Sequence, residues 1–223
     1  MADPADTLQG KPASTAGKPA QRRPQTNREL REVSLRRIYD SALRLFVEQG
    51  YRATTVNDIA AGAGLTKGGV YFYIEKKEHL MSQMLDSVAG RYIDDILTAL
   101  AKKDMPPPDK LVAFVHSQVQ FAQAHPHEVM LLVMSSVEFA KGGSELSEKI
   151  EDIYQRMRQF IESLLLEGRE RGVFKTGLSA PAFASFYVAA HDGMMLEWYR
   201  RGTEIDGGEL VRIYREALLR TLA

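Results

Sequence analysis

Cysteine is absent from the 223 residues. With it go disulfide scaffolds, thiolate-ligated zinc or iron–sulfur sites, thiol redox chemistry and cysteine nucleophiles. Long apolar runs are missing as well. The longest unbroken aliphatic stretch, VMLLVM at 129–134, falls far short of the ~20 residues that span a bilayer. The N-terminus opens with Asp3 and Asp6 and lacks the basic-then-apolar order of an export signal. A cytoplasmic protein without membrane association is expected. Catalytic signatures are equally scarce, with no HExxH, GxSxG or SxxK pattern and no GK[ST] phosphate loop. Among the five histidines, His125 and His127 flank Pro126 at a helix start, where capping and solvent exposure outweigh metal binding. His191 beside Asp192 reads as a polar anchor in a pocket or an acid/base pair, although helix neighbours diverge by about 100°. The expectation is a non-enzyme with no catalytic residue, no metal and no cofactor.

Net charge is zero, from 29 basic and 29 acidic side chains, and 44% of residues are hydrophobic. The balance is uneven along the chain: residues 21–79 carry eleven positive and seven negative groups, residues 80–223 sixteen and twenty. Local field rather than total charge steers a polyanion, so a neutral whole does not exclude DNA. Residues 1–29 hold four of the nine prolines and no Val, Ile, Phe, Tyr or Trp. Such a segment cannot bury enough surface to offset chain entropy, and it is expected to be a disordered tail in which Arg22, Arg23 and Arg28 have weak phosphate affinity.

From Leu35 the pattern turns helical, with Leu35, Ile38, Tyr39, Ala42, Leu45 and Phe46 at i, i+3, i+4 spacing and Gly50 as the stop. Thr55 with Asp58 forms a capping-box pattern that opens a short helix. Gly62 and Gly64 interrupt it, and a second short helix runs from about Thr66 to Tyr73. A longer helix is expected from about Lys76 to Leu100, stopped by Pro106–Pro108. Helical stretches follow at about 109–124, 127–140, 145–171, 180–201 and 208–222. The only β-like run, VYFYI at 70–74, is surrounded by helix signals, so the fold class is all-α.

Two short helices around a glycine-bearing turn, propped on an amphipathic helix, have the spacing of a helix-turn-helix DNA reader. Thr66 and Lys67 would stand at the N-terminal end of the second helix, which meets bases and phosphate. Gly68 and Gly69 each cost about 1 kcal/mol in a helix relative to Ala, but without side chains they let the backbone approach base edges. Tyr71, Tyr73 and Lys77 could donate to phosphates and set register. The segment TTVNDIAAGAGLTKGGVYFYIEKKEHL, residues 54–80, resembles the DNA-binding domain of TetR-family transcriptional regulators almost position by position. Leu65 replaces the usual Val, and Ile74 stands where that pattern has Phe. The resemblance implies that Thr66, Lys67 and Gly69 lie at the groove and that Thr55, Tyr71, Tyr73 and Lys77 bind phosphate. Beyond the tail at 1–29, it implies a helix-turn-helix domain at 30–78 and a ligand-binding and dimerisation domain at 79–223.

The later helices are rich in Met and aromatic residues, which adapt to irregular apolar shapes, although core packing accounts for most of them equally well. The candidate pocket residues are Tyr92, Val115, Met134, Met157, Phe186 and His191. The last two helices are apolar on more than one face, so a symmetric dimer through a four-helix bundle is expected. Its candidate interface is Met194, Trp198, Leu210, Ile213, Tyr214 and Ala217. HDGMMLEWYRRG at 191–202 looks like the corresponding helix in branches that sense acyl-CoA thioesters. The reading is a regulator, more in the manner of a repressor than an activator, released from a pseudo-palindromic operator by a hydrophobic effector such as an acyl-CoA or fatty acid. The alternative is an all-α small-molecule binding protein whose helix-turn-helix is vestigial.

Overall fold

The computed structural model describes residues 26–223 except Lys141, and among these it contains helices and no strand. Most of the expected tail therefore lies outside the described residues, Arg22 and Arg23 included. The first helix, α1 (Asn27–Gln49), begins well before Leu35. Residues 26–33 are exposed and leave no apolar period to read. What starts the helix is a capping box: the Thr26 hydroxyl accepts from Glu29 N–H, and the Glu29 carboxylate accepts from Thr26 N–H at 2.7 Å. The inward face of α1, with Ile38, Ala42, Phe46 and Val47, packs on α2 (Val56–Ala63), and α3 (Lys67–Tyr73) rests on α2. The β-like run is helical through Tyr73, and only Ile74 is extended.

The expected long helix is divided. α4 (Lys77–Ala89) runs into a π-turn at Gly90–Asp94 and continues as α5 (Asp95–Ala101). The Asp95 N–H closes the wide turn on the Gly90 carbonyl. Such single π-turns are helical insertions that re-aim side chains and gather at functional sites. α6 (Pro107–Ala124) and α7 (Pro126–Glu138) each begin on a proline, where the missing N–H costs nothing. α8 (Glu145–Glu170) and α9 (Ala180–Arg201) make the most extensive helix pair, and α10 (Gly207–Leu222) lies against α6 and α9. Among the described residues no helix is long and apolar enough to cross a membrane.

One junction seats the N-terminal head on the body. The Glu138 carboxylate, at the end of α7, accepts the backbone N–H groups of Tyr51 at 2.9 Å and Arg52 at 2.8 Å. Beside it the Tyr51 ring bridges Phe46 of α1 and Phe139, with both centroid distances 5.3 Å. Burial there pushes the Tyr51 phenol up to about 12.

Within the head, α1 and α2 approach closely at a glycine. A Cβ built on Gly62 would lie 2.3 Å from the Oγ of buried Ser41, a hydroxyl already donating to the Ile59 carbonyl at 3.0 Å. Gly62→Ala is therefore expected to lower stability by roughly 1–3 kcal/mol through overpacking. Urea denaturation reads this directly, and an unchanged midpoint would contradict the close approach.

Candidate functional site

The second short helix presents its outer face to solvent. Thr66 caps it, its hydroxyl accepting from Gly69 N–H at 3.0 Å. Val70 is buried, Gly69 and Tyr73 are half-buried, and Lys67, Gly68, Tyr71 and Phe72 are exposed. A Cβ on Gly68 would meet nothing, so this glycine leaves bare backbone on the outer face, whereas one on Gly69 would press on the Thr66 hydroxyl at 3.2 Å. The two glycines thus have different reasons: open approach at 68, room for the cap at 69. At the start of α2 the Thr55 hydroxyl accepts from Asp58 N–H and donates to the Asp58 carboxylate at 2.7 Å. The bonds that the carboxylate accepts, from the Thr55 hydroxyl and from the Thr55 N–H at 2.8 Å, hold the Asp58 carboxyl below its usual range. Phe72, 74% exposed, escaped the motif reading because it falls on a variable position of the pattern.

Lys77 departs from its expected role. Its ammonium donates to the Tyr51 and Thr54 carbonyls, both at 2.7 Å, and stands 4.1 Å from the centre of the Tyr51 ring. Partial burial pulls its pKa down. The side chain clamps the turn before α2 to the start of α4 instead of projecting freely toward phosphate. Tyr73 likewise lies partly inward, with the Arg31 guanidinium 5.8 Å from its ring centre.

In the body, the structure joins two of the six expected pocket residues directly. The Tyr92 hydroxyl and His191 Nε2 are 2.6 Å apart, and His191 Nδ1 is 3.0 Å from Asp192 Oδ1. Asp192 Oδ2 accepts from the Tyr154 hydroxyl at 2.9 Å. A carboxylate only accepts, so Nδ1 carries a proton, and in the neutral ring Nε2 accepts from Tyr92. Burial pushes the Tyr92 and Tyr154 phenols well up, keeping both as neutral donors. The side-chain bond from Asp192 to His191 overcomes the divergence expected of helix neighbours. A second buried set joins the Tyr187 hydroxyl to Gln118 Oε1 at 2.6 Å and Gln118 Nε2 to Met157 Sδ at 3.4 Å. Beside the first chain a recess of about 680 Å³ opens between the end of α7, the loop after it, α8 and α9, with Phe139, Tyr154 and Asp192 in its wall.

Val115 and Met157 are core residues. Met134 and Phe186, expected in the pocket, are 37% and 48% exposed and lie on the outside; their helices carry apolar residues on two faces, which periodicity alone could not assign. Gln118, Tyr154 and Tyr187 were not among the expected pocket residues, and the i, i+4 spacing of Tyr187 and His191 on α9 was the available signal. The expected dimer residues divide similarly. Met194 and Tyr214 are buried within the chain, the Tyr214 hydroxyl donating to the Tyr187 carbonyl at 3.2 Å. Trp198 and Leu210 wall a small recess with Val119, and Ile213 and Ala217 remain exposed.

A helix-turn-helix head seated on an all-helical body with a buried polar centre defines a DNA-binding regulator. The sequence model of bacterial regulatory proteins of the tetR family matches residues 38–84, and that of the tetracyclin repressor-like C-terminal domain matches 104–222. The chain belongs to the TetR family and is a DNA-binding transcriptional regulator. The crystal structure of the MbdR regulator from Azoarcus sp. CIB aligns with a TM-score of 0.77 and 37% identity, over 85% of this chain and 99% of that one. The transcriptional repressor KstR2 of Mycobacterium tuberculosis (strain ATCC 25618 / H37Rv) is 26% identical over 84% of this chain and 93% of its own length. The fatty acid metabolism regulator protein of Bacillus subtilis is 24% identical over 76% of this chain and 85% of its own. The FadR structure from that organism, solved in complex with stearoyl-CoA, shares the fold with a TM-score of 0.66 and 22% identity, over 84% of this chain and 99% of that one.

The Lys77 clamp is open to test. Lys77→Met is expected to destabilise the protein by about 1–3 kcal/mol, as loss of a charged donor to two carbonyls implies. It should weaken DNA binding without changing the salt dependence, whereas loss of a phosphate contact lowers the slope by about one. Titrations at several salt concentrations, paired with thermal melts, separate the two roles.

Proposed function

We propose that this regulator is a cytoplasmic repressor that leaves a pseudo-palindromic operator when an acyl thioester enters the body. The observation that carries the reading is the chain Tyr154–Asp192–His191–Tyr92. It starts at the wall of the α7–α9 recess and ends in the π-turn of the helix that leaves the DNA head. An effector carbonyl in the recess that accepts a hydrogen bond from Tyr154, the member of the chain in its wall, competes with Asp192 for that donor and disturbs the bonds that run on to Tyr92. It thereby shifts the π-turn and the direction of α4. Two heads carried on α4 then lose the separation that matches successive major grooves. A thioester fits better than a free fatty acid. The Asp192 carboxylate at the centre of the chain repels a second carboxylate, while a neutral thioester still offers the acceptor. The relatives named for fatty acid metabolism and the stearoyl-CoA complex support the same chemistry.

The division into a head at 30–78 and a body at 79–223 agrees with this route, α4 being the element between them. The dimer face is proposed on α9 and α10, where Phe186, Ala189, Ile213 and Ala217 are exposed and a two-fold axis would pair each patch with its copy.

Anisotropy titration of a labelled operator tests the reading. A long-chain acyl-CoA is expected to weaken operator binding roughly ten- to hundred-fold, within the usual range of allosteric coupling, and free fatty acid or coenzyme A alone is expected to have little effect. Tyr92→Phe, which keeps the ring and removes the donor, should cut that response while preserving operator affinity within a few-fold. Equal responses to acid and thioester, or a full response in Tyr92→Phe, would sink the mechanism.

A further inference from the structure

Phe72 is the most exposed large apolar side chain of the reading helix, at 74%. Water is a poor environment for a phenyl ring, and nothing in the described chain covers it. Its setting is ordered all the same. The ring meets Tyr73 edge-on, with centroids 5.1 Å apart and planes at 89°, and Tyr73 is in turn held near Arg31. Aromatic pairs in this geometry are favourable, which biases the Phe72 ring toward this orientation.

Its place on the helix limits what it can meet. Gly68 and Phe72 are four residues apart and share a face, and Gly68 has open space where a side chain would stand. The backbone at 68 can therefore come close to base edges and carry the ring, one turn further along, into the same groove. Lys67 and Tyr71, also exposed, have polar groups for bases or phosphates. A phenyl ring has none. It cannot bond the nitrogen and oxygen atoms on major-groove edges, and pressing it on a phosphate would strip water from a charge. The one apolar feature those edges offer is the C5-methyl of thymine.

We infer that Phe72 is a specificity-determining residue that packs on a thymine methyl in each half-site of the operator. Its discrimination is steric and apolar, so a base is accepted according to whether it carries that methyl. Cytosine methylated at C5 satisfies the ring where unmodified cytosine does not.

Deoxyuridine provides the test, because it pairs as thymine does and lacks only the methyl. An operator is first selected from random duplexes by the full-length dimer, which establishes sequence-specific binding before the inference is examined. Each thymine is then replaced singly by deoxyuridine. One thymine per half-site is expected to matter, with about fourfold weaker binding for one replacement and about fifteen-fold for the symmetric pair, the value of one buried methyl group each. Phe72→Ala should bind thymine and deoxyuridine operators equally, and Phe72→Leu should keep part of the difference. Salt dependence should not change, since no phosphate contact is lost. The exposed position makes both variants fold as the parent does, which a thermal melt verifies. The inference is overturned if no thymine is sensitive or if the sensitivity survives in Phe72→Ala. It is also overturned if Phe72→Ala weakens binding while no replacement does, which would mark a sugar contact.

Discussion

A single carboxylate determines how the DNA head sits on the body. Glu138 closes α7 and accepts two consecutive backbone N–H groups from the turn between α1 and α2. Those amides belong to a turn, where helix bonds are unavailable to them, and a charged acceptor makes the stronger class of hydrogen bond. The adjoining Tyr51 carries the contact in both directions, since its ring packs between Phe46 and Phe139 while its carbonyl holds Lys77 at the start of α4. The junction thus ties α1, α4 and α7 together at one residue. A head fixed in this way turns with α7 and α4 instead of swinging on a loose linker.

The second constraint is inside the body. A polar chain in a Met- and aromatic-rich core is costly unless every member is satisfied, and here each hydroxyl, ring nitrogen and carboxylate oxygen of Tyr92, His191, Asp192 and Tyr154 has a partner. Tyr92 sits within the π-turn, a kind of helical insertion that re-aims side chains. A chain satisfied in one arrangement, next to an open recess, is the kind of two-state element that a ligand can bias. The same residues therefore serve the core's order and, in the proposed function, its response.

The departures from the sequence reading have a common physical origin. Lys77, Tyr214, Met134 and Phe186 were assigned from residue type and position along a helix, and each side chain has more than one use. A lysine near a DNA reader bonds carbonyls as readily as phosphates, and the choice at Lys77 depends on a turn 23 to 26 residues earlier in the chain. Tyr214 was grouped with Ile213 because neighbours on an amphipathic helix share a broad stripe. Its hydroxyl instead reaches the Tyr187 carbonyl, which makes it part of this chain's own core. Phe72 shows the converse: it falls on a variable position of the motif, so the pattern assigned it no role although the structure leaves it the most exposed large apolar side chain of α3.

Local chemistry was sufficient for most of the helices, the cap at Thr55, the turn at Gly64 and the identity of the DNA reader. Each of these rests on interactions within a few residues, so spacing alone encodes them. The early start of α1 was equally local, in Thr26 and Glu29, but lay outside the apolar period. Only the tertiary structure decided the π-turn, the seat of the head on Glu138, the partners of Lys77, and the union of Tyr92, His191, Asp192 and Tyr154. Those depend on side chains that are tens of residues apart in sequence, and their meeting is set by how whole helices pack.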